Sequence, residues 1–156
     1  MAEVNSIPRS VLFPLRIFFG VFFLHSGWGK LTGNFLGGEV LKGILEKWIP
    51  TIGLREYVLF LKDFVIPHIT FFSYLVAFGE TLSGLFITFG CLIRGACLVT
   101  IFMNSNFLIA TMSQGAASVG VNLACIFISI TLFLGSAGRF WGIDLYLSKR
   151  FPNFPF

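Results

Sequence analysis

The chain has 156 residues, of which 56% are hydrophobic and 12% charged, and its mean hydropathy is +0.87. Soluble domains carry roughly 25% charged residues, so a soluble fold of this size could not bury so much apolar surface. The sequence therefore predicts an integral membrane protein. Its net charge of +4 fits the excess of Lys and Arg on the cytoplasmic side of membrane helices, and no basic run indicates a nucleic-acid partner.

The first predicted span covers about residues 11–31. Arg16, Gly27 and Lys30 fall on one stripe at helical spacing. Glycine lets a second helix approach closely in a membrane, so we expect this stripe to face the interior of a bundle. His25 then lies on the opposite side of the helix.

The connection at 34–67 is the only long one. Two stretches within it have the apolar periodicity of amphipathic helices, and they end at Pro50 and Pro67. Neither is long or apolar enough to cross a bilayer. We therefore expect two interfacial helices, anchored by Trp48 and Tyr57, that cap the bundle or form a docking surface.

The second predicted span, at about 69–90, carries an acid near its middle. Glu80 shares one helical face with small or polar residues, whereas the opposite face is large and apolar. An ionisable group at that depth is costly, which makes it a candidate functional residue. Because small residues mark helix contacts in membranes, we place Glu80 inside the bundle.

The third and fourth predicted spans cover about 96–112 and 119–134. Each has a polar stripe, with Asn104 on the third span and Asn122 on the fourth. The fold class expected for 1–156 is thus a single all-α domain, an integral membrane four-helix bundle with amphipathic interfacial helices between the first and second spans.

The distribution of charge predicts the orientation. Basic residues near both termini and in the second turn are largely unopposed, whereas those of the long connection are nearly balanced by acids. The positive-inside rule then places both termini in the cytoplasm, and we expect a prokaryotic cytoplasmic membrane.

Helix depth suggests a polar intramembrane site. At about 1.5 Å per residue, Glu80 and Asn104 fall near the bilayer centre, Asn122 nearer the outer side, Arg16 toward the cytoplasm and Lys30 at the outer mouth. In one interpretation Glu80 and Asn104 are catalytic and handle a quinone head group, while Lys30, Arg16 and Asn122 bind substrate. In the other, a protonated Glu80 locks helices together through hydrogen bonds to Asn104 or a serine.

The residue pattern does not identify a cofactor. His25 could reach the outer interface, contact a partner subunit, or ligate a tetrapyrrole between subunits. His68, beside Pro67, is not placed to complete a bis-histidine haem, and no metal or dinucleotide motif occurs. The 21 phenylalanines fit lipid-facing bulk, with quinone tails or pigment as sharper alternatives.

The three cysteines, Cys91, Cys97 and Cys125, contain no C-x-x-C pair. They do not form a disulfide framework, and free cysteine packs as a small hydrophobic residue. This argues against a thiol–disulfide oxidoreductase.

Three stretches carry a family resemblance: LRIFFGVFFLHSGWGKLTG, AFGETLSGLFITFGCLIRGACL and VNLACIFISITLFLGSAGRFWGIDLYL. Their shared elements are a G-x-x-K ending, an E-x-x-x-G segment followed by G-x-x-x-R, and a terminal Gly-Arg run before an Asp. The residues are Gly27, Lys30, Glu80, Gly84, Gly90, Arg94, Ser136, Gly138, Arg139 and Asp144. Together they resemble the DoxX/DoxD family of small four-helix membrane proteins. The terminal run has one extra residue before its Asp, and the segment at 34–67 lies outside the resemblance.

The resemblance implies redox chemistry, because some members are subunits of thiosulfate:quinone oxidoreductase and others belong to membrane oxidoreductase complexes. We therefore expect a membrane subunit of a quinone-linked oxidoreductase with its polar site around Glu80. The alternative is a non-catalytic accessory or scaffold subunit of a larger electron-transfer or pigment-containing complex, binding lipid or pigment. Either way the expected partners are the lipid bilayer and other membrane subunits.

Overall fold

The computed structural model describes residues 9–152, which form helices joined by turns and short irregular stretches, with no strand in that range. The helices are α1 (Leu12–Thr32), α2 (Glu39–Trp48), α3 (Arg55–Phe60), α4 (Ile69–Phe89), α5 (Ile93–Thr111), α6 (Ala116–Leu134) and α7 (Asp144–Arg150).

Four helical segments are long and apolar enough to cross a membrane: α1, α5, α6 and the run Arg55–Phe89 that ends with α4. They form an all-α bundle, which confirms the predicted fold class. The ends of α1 and α4 lie within one residue of the predicted spans, whereas α5 and α6 begin at 93 and 116 rather than at 96 and 119.

The closest helix pair is α1 with α4, which run antiparallel. Gly20 lies against Thr88 and Gly27 against Thr81, so the residue numbers rise on one helix as they fall on the other. A Cβ on Gly27 would overlap the backbone of Thr81, and a Cβ on Gly84 would overlap the backbone of α1. Small residues thus set the spacing of this pair, as expected for helices in lipid.

The second close pair is α5 with α6. Two hydroxyl groups, Thr100 Oγ1 and Ser129 Oγ, form a 2.8 Å hydrogen bond between these helices and are fully buried. Side chains from both helix pairs form an apolar core. Its buried members include Phe19, Phe23, Ile87, Ile93, Cys97, Cys125 and Leu132.

The long connection is helical, but its second half is joined to α4. A π-helical turn (Leu61–Val65) and a 3-10 turn (Ile66–His68) follow α3 and lead into α4. The prediction that this helix ends at Pro67 is therefore wrong. Pro67 lies at the start of the 3-10 turn, where proline is tolerated because the first N–H groups of a helical turn need no partner within it.

The first half of the connection folds back on the second. Leu45 of α2 and Ile49 pack on Leu61 and Val65 of the π-helical turn. Tyr57 is not a free interface anchor, since its hydroxyl donates to the backbone oxygen of Asn106 on α5 at 3.2 Å. The two segments thus form a cap, here defined as residues 39–65, at one end of the bundle.

Because Gly27 sits in the α1–α4 contact, we expect Gly27→Ala to push the helices apart and lower stability by about 1–3 kcal/mol. Gly29→Ala is the matched control, because a Cβ there meets no atom within 4 Å and should raise helix stability by up to about 1 kcal/mol. The midpoint of thermal unfolding in mild detergent measures both. Equal effects of the two variants would contradict the close contact.

Candidate functional site

Glu80 lies in the α1–α4 contact and is 5% exposed. Its Oε2 accepts hydrogen bonds from Lys30 Nζ at 2.5 Å and from Ser26 Oγ at 2.9 Å. Lys30 Nζ also donates to Ser26 Oγ at 2.9 Å, so the three groups form a closed triangle. We call Ser26, Lys30 and Glu80 the Glu80 site.

The sequence builds this site by helical spacing and helix direction. Ser26 and Lys30 are four residues apart, which puts them on the same face of α1. Side chains tilt toward the N-terminus of their helix, so Lys30, near the end of α1, points back into the bundle. Its ammonium lies 5.7 Å from the ring centre of the buried Phe35, a cation–π distance.

The two charges differ in their access to the surface. The side chain of Lys30 is 25% exposed and that of Glu80 is 7% exposed. Both hydrogen bonds reach Oε2, and within residues 9–152 no donor reaches Oε1. The site therefore combines an ammonium that reaches the surface with a buried carboxylate that keeps one oxygen available to a proton or a ligand.

The structure corrects the predicted pairing of Glu80 with Asn104. Asn104 Nδ2 donates to the backbone oxygen of Thr100 at 2.8 Å, one turn back on its own helix. Asn122 Nδ2 donates to Thr111 Oγ1 at 3.2 Å and to the backbone of α6. Neither amide bonds to Glu80, because α4 turns its acid toward α1. The alternative interpretation allows a hydrogen bond between Glu80 and a serine, and Ser26 forms one.

Arg16 is also placed differently from its predicted role at a mouth of the bundle. It is 1% exposed, and its Nη1 donates to the backbone oxygens of Ala137 and Phe140, both at 2.7 Å. Its Nη2 donates to the backbone oxygen of Trp141 at 2.9 Å. These contacts tie α1 to the turn before α7, which favours a structural role over attraction of an anion.

Asp144 is the buried acid whose role the residue pattern alone did not show. It is 1% exposed and accepts hydrogen bonds from the backbone N–H groups of Leu92 at 2.6 Å and Ile93 at 3.1 Å. These donors open α5, so Asp144 caps that helix from a distant part of the chain. Only the family resemblance had singled out this residue, which lies in the terminal Gly-Arg-Asp run.

The remaining candidates lie apart from the Glu80 site. His25 is exposed on the outward side of α1, as predicted, and its role as a ligand stays a prediction. The three cysteines are free thiols, and burial raises the pKa of Cys91, which lowers its thiolate fraction. Among residues 9–152 no three His, Cys, Asp or Glu side chains are grouped to hold a metal ion.

Comparison with known proteins gives one family match. A family model described as DoxX matches residues 11–112, from α1 to the end of α5. The match includes all of the Glu80 site and runs through the segment at 34–67, which the resemblance in the sequence had left out. No solved structure matches the chain.

We expect the effects of replacing Lys30 and Glu80 on stability to be strongly coupled. Lys30→Met leaves a buried carboxylate without a counter-charge and should lower stability by about 3 kcal/mol. In the double variant Lys30→Met, Glu80→Met both charges are gone, and most of that loss should be recovered. Unfolding midpoints of wild type, both single variants and the double variant give the coupling energy; simple additivity would contradict the pair.

Removal of the distant cap should loosen α5. Asp144→Ala leaves two backbone N–H groups without an acceptor and should cost about 1–2 kcal/mol, with Asp144→Asn in between. The control is Asp63→Ala, since Asp63 is exposed and should be neutral. Hydrogen exchange at the start of α5 localises the effect, and unchanged protection there would argue against capping.

Proposed function

The chain belongs to the DoxX family, and on this premise we propose that it is the membrane subunit of a quinone-linked oxidoreductase in which the Glu80 site handles protons. The observation that carries the proposal is the Lys30–Glu80 ion pair between α1 and α4, two helices long and apolar enough to cross a membrane. Ionisable groups inside membranes are rare and often belong to proton relays or substrate paths.

The chemistry of the site suits proton transfer. Reduction of a quinone to a quinol takes up protons as well as electrons, at the two oxygens that become hydroxyl groups. In our proposal a redox-active partner subunit supplies the electrons. The Ser26 hydroxyl and the Lys30 ammonium form a hydrogen-bonded path toward the surface, and Glu80 receives protons through it.

A second function has its own support. The Lys30–Glu80 pair lies in the tightest helix contact, where mutual neutralisation alone would stabilise the bundle. Large aromatic side chains such as Phe18, Phe102 and Phe127 are about two-thirds exposed on the outer faces of the helices. These features fit a non-catalytic accessory subunit that binds lipid, pigment or another membrane helix. In that case Glu80 holds α1 on α4 and takes no part in turnover.

Replacement of the acid separates the two functions. In membranes that contain the native complex, Glu80→Gln should lower quinone reduction by about 100-fold, because an amide cannot carry the proton. Glu80→Asp should recover part of the rate with a shifted pH profile. Glu46→Gln is the control, since Glu46 is exposed on α2.

Assembly is measured on the same samples by size-exclusion chromatography. A complex that assembles normally but loses turnover in Glu80→Gln supports the proton role. A complex with full turnover in this variant overturns it and leaves the accessory function.

A further inference from the structure

A cavity of about 480 Å³ lies between the cap and the faces of α4 and α5. Its volume falls within the roughly 300–1,000 Å³ of small-molecule sites. The lining residues that define it best are Leu45, Leu61, Leu75, Val76, Val99 and Met103. Sequence periodicity gave no indication of this cavity, because its wall forms only where the cap folds back on α4 and α5.

The cavity wall is open toward the bilayer. Its lining includes side chains that are exposed on the outer face of the bundle, among them Leu75 at 51%, Leu98 at 56% and Phe102 at 67%. In a membrane these side chains meet lipid, so a molecule dissolved in the bilayer can enter sideways. A ligand confined to water has no comparable route through this face.

The polar groups of the lining are few and uncharged. They belong to Trp48, Tyr57 and Asn106, and no charged residue lines the cavity. Tyr57 already donates to the Asn106 backbone, and Asn106 Nδ2 donates to the Phe102 backbone at 2.8 Å. The amide orientation follows, because a backbone oxygen only accepts.

Two hydrogen-bonding groups of the lining therefore have capacity left. Asn106 Oδ1 can accept a hydrogen bond. The indole N–H of Trp48 can donate one, since no acceptor for it occurs in residues 9–152. A head group that accepts when oxidised and donates when reduced matches this pair.

The absence of charged lining residues selects the kind of occupant. A buried phosphate or carboxylate would need a counter-charge, and the cavity wall offers none. An uncharged amphiphile with a long apolar chain needs only the apolar walls and one or two hydrogen bonds. A prenylquinone has these properties.

The cavity also adjoins the Glu80 site along α4. Gly79 lines the cavity, and the next residue, Glu80, turns toward α1. We propose that this cavity binds the quinone, with its head group near Trp48 and Asn106 and its isoprenoid chain toward the bilayer. This inference rests on the proposed function for the choice of quinone, and it puts the head group with Asn106 rather than with Asn104.

Binding can be measured without turnover. The measurement uses a variant with Trp28→Phe and Trp141→Phe, both at exposed positions, so that Trp48 is the remaining tryptophan and reports on the cavity. It is placed in nanodiscs of synthetic phosphatidylcholine, and a decyl-substituted benzoquinone is added as the probe. Quenching of Trp48 fluorescence then gives the Kd.

A matched pair of substitutions tests the location. Val99→Phe fills the cavity and should raise the Kd by about tenfold or more, which corresponds to about 1.4 kcal/mol. Val121→Phe is the control, because Val121 is similarly exposed, on α6, and does not line the cavity. Its Kd should stay within about twofold of the parent value.

The outcomes separate this inference from the proposed function. If Val99→Phe leaves the Kd for the benzoquinone unchanged, the cavity is not the quinone site. The same conclusion follows if the only effect of Val99→Phe is to displace co-purified phospholipid. That result would stand even where Glu80→Gln abolishes turnover. If Val99→Phe weakens binding while Glu80→Gln retains full turnover, the cavity is supported and the proton role of Glu80 fails.

Discussion

The antiparallel contact between α1 and α4 is the constraint on which the rest of the structure depends. Gly27 and Gly84 let the two backbones meet, so little space is left for a polar side chain between them. Glu80 is nevertheless placed there, and a charge in that position must find its partner on the facing helix. Lys30 is that partner. Close packing and the ion pair are thus one feature, because the glycines let the helices approach closely in the contact where the Glu80 side chain is only 7% exposed.

A second basic residue fixes the opposite end of α1. Arg16 holds the backbone oxygens of the turn before α7, just as Lys30 holds the acid of α4. Both cations are stabilised by specific acceptors, which a low-dielectric environment requires. The same turn, held by Arg16, positions Asp144, which caps α5. One helix, tied at both ends, therefore sets the position of α4 directly and of α5 indirectly.

Much of this fold can be predicted from the sequence. Hydropathy gives the four spans, and stripes of small residues give their inward faces, including that of Glu80. The partner of Glu80 cannot be predicted in this way, because periodicity fixes a face and a depth but not the neighbouring helix. Asn104 has a suitable depth, yet α4 packs its acid on α1. Asp144 has no periodic signal, since its carboxylate accepts hydrogen bonds from N–H groups some fifty residues away along the chain. Pro67 misleads because a 3-10 turn accommodates it within a helical run that continues into α4.

The helix α4 separates two environments, with the ion pair on one face and the cavity on the other. Gly79 and Glu80 are consecutive and lie about 100° apart around the helix axis, so the two faces are neighbours, although Glu80 itself does not line the cavity. At Gly79 the contact between α4 and α5 is tight, because a Cβ at this residue would lie 2.9 Å from Met103 Sδ. In our proposal, a proton on Glu80 reaches the cavity from Oε1, which has no hydrogen-bond donor among residues 9–152, by a change of rotamer or through a bound water. The proposed ligand binding and the proposed proton transfer then depend on different faces of α4, and a substitution on one face need not disturb the other.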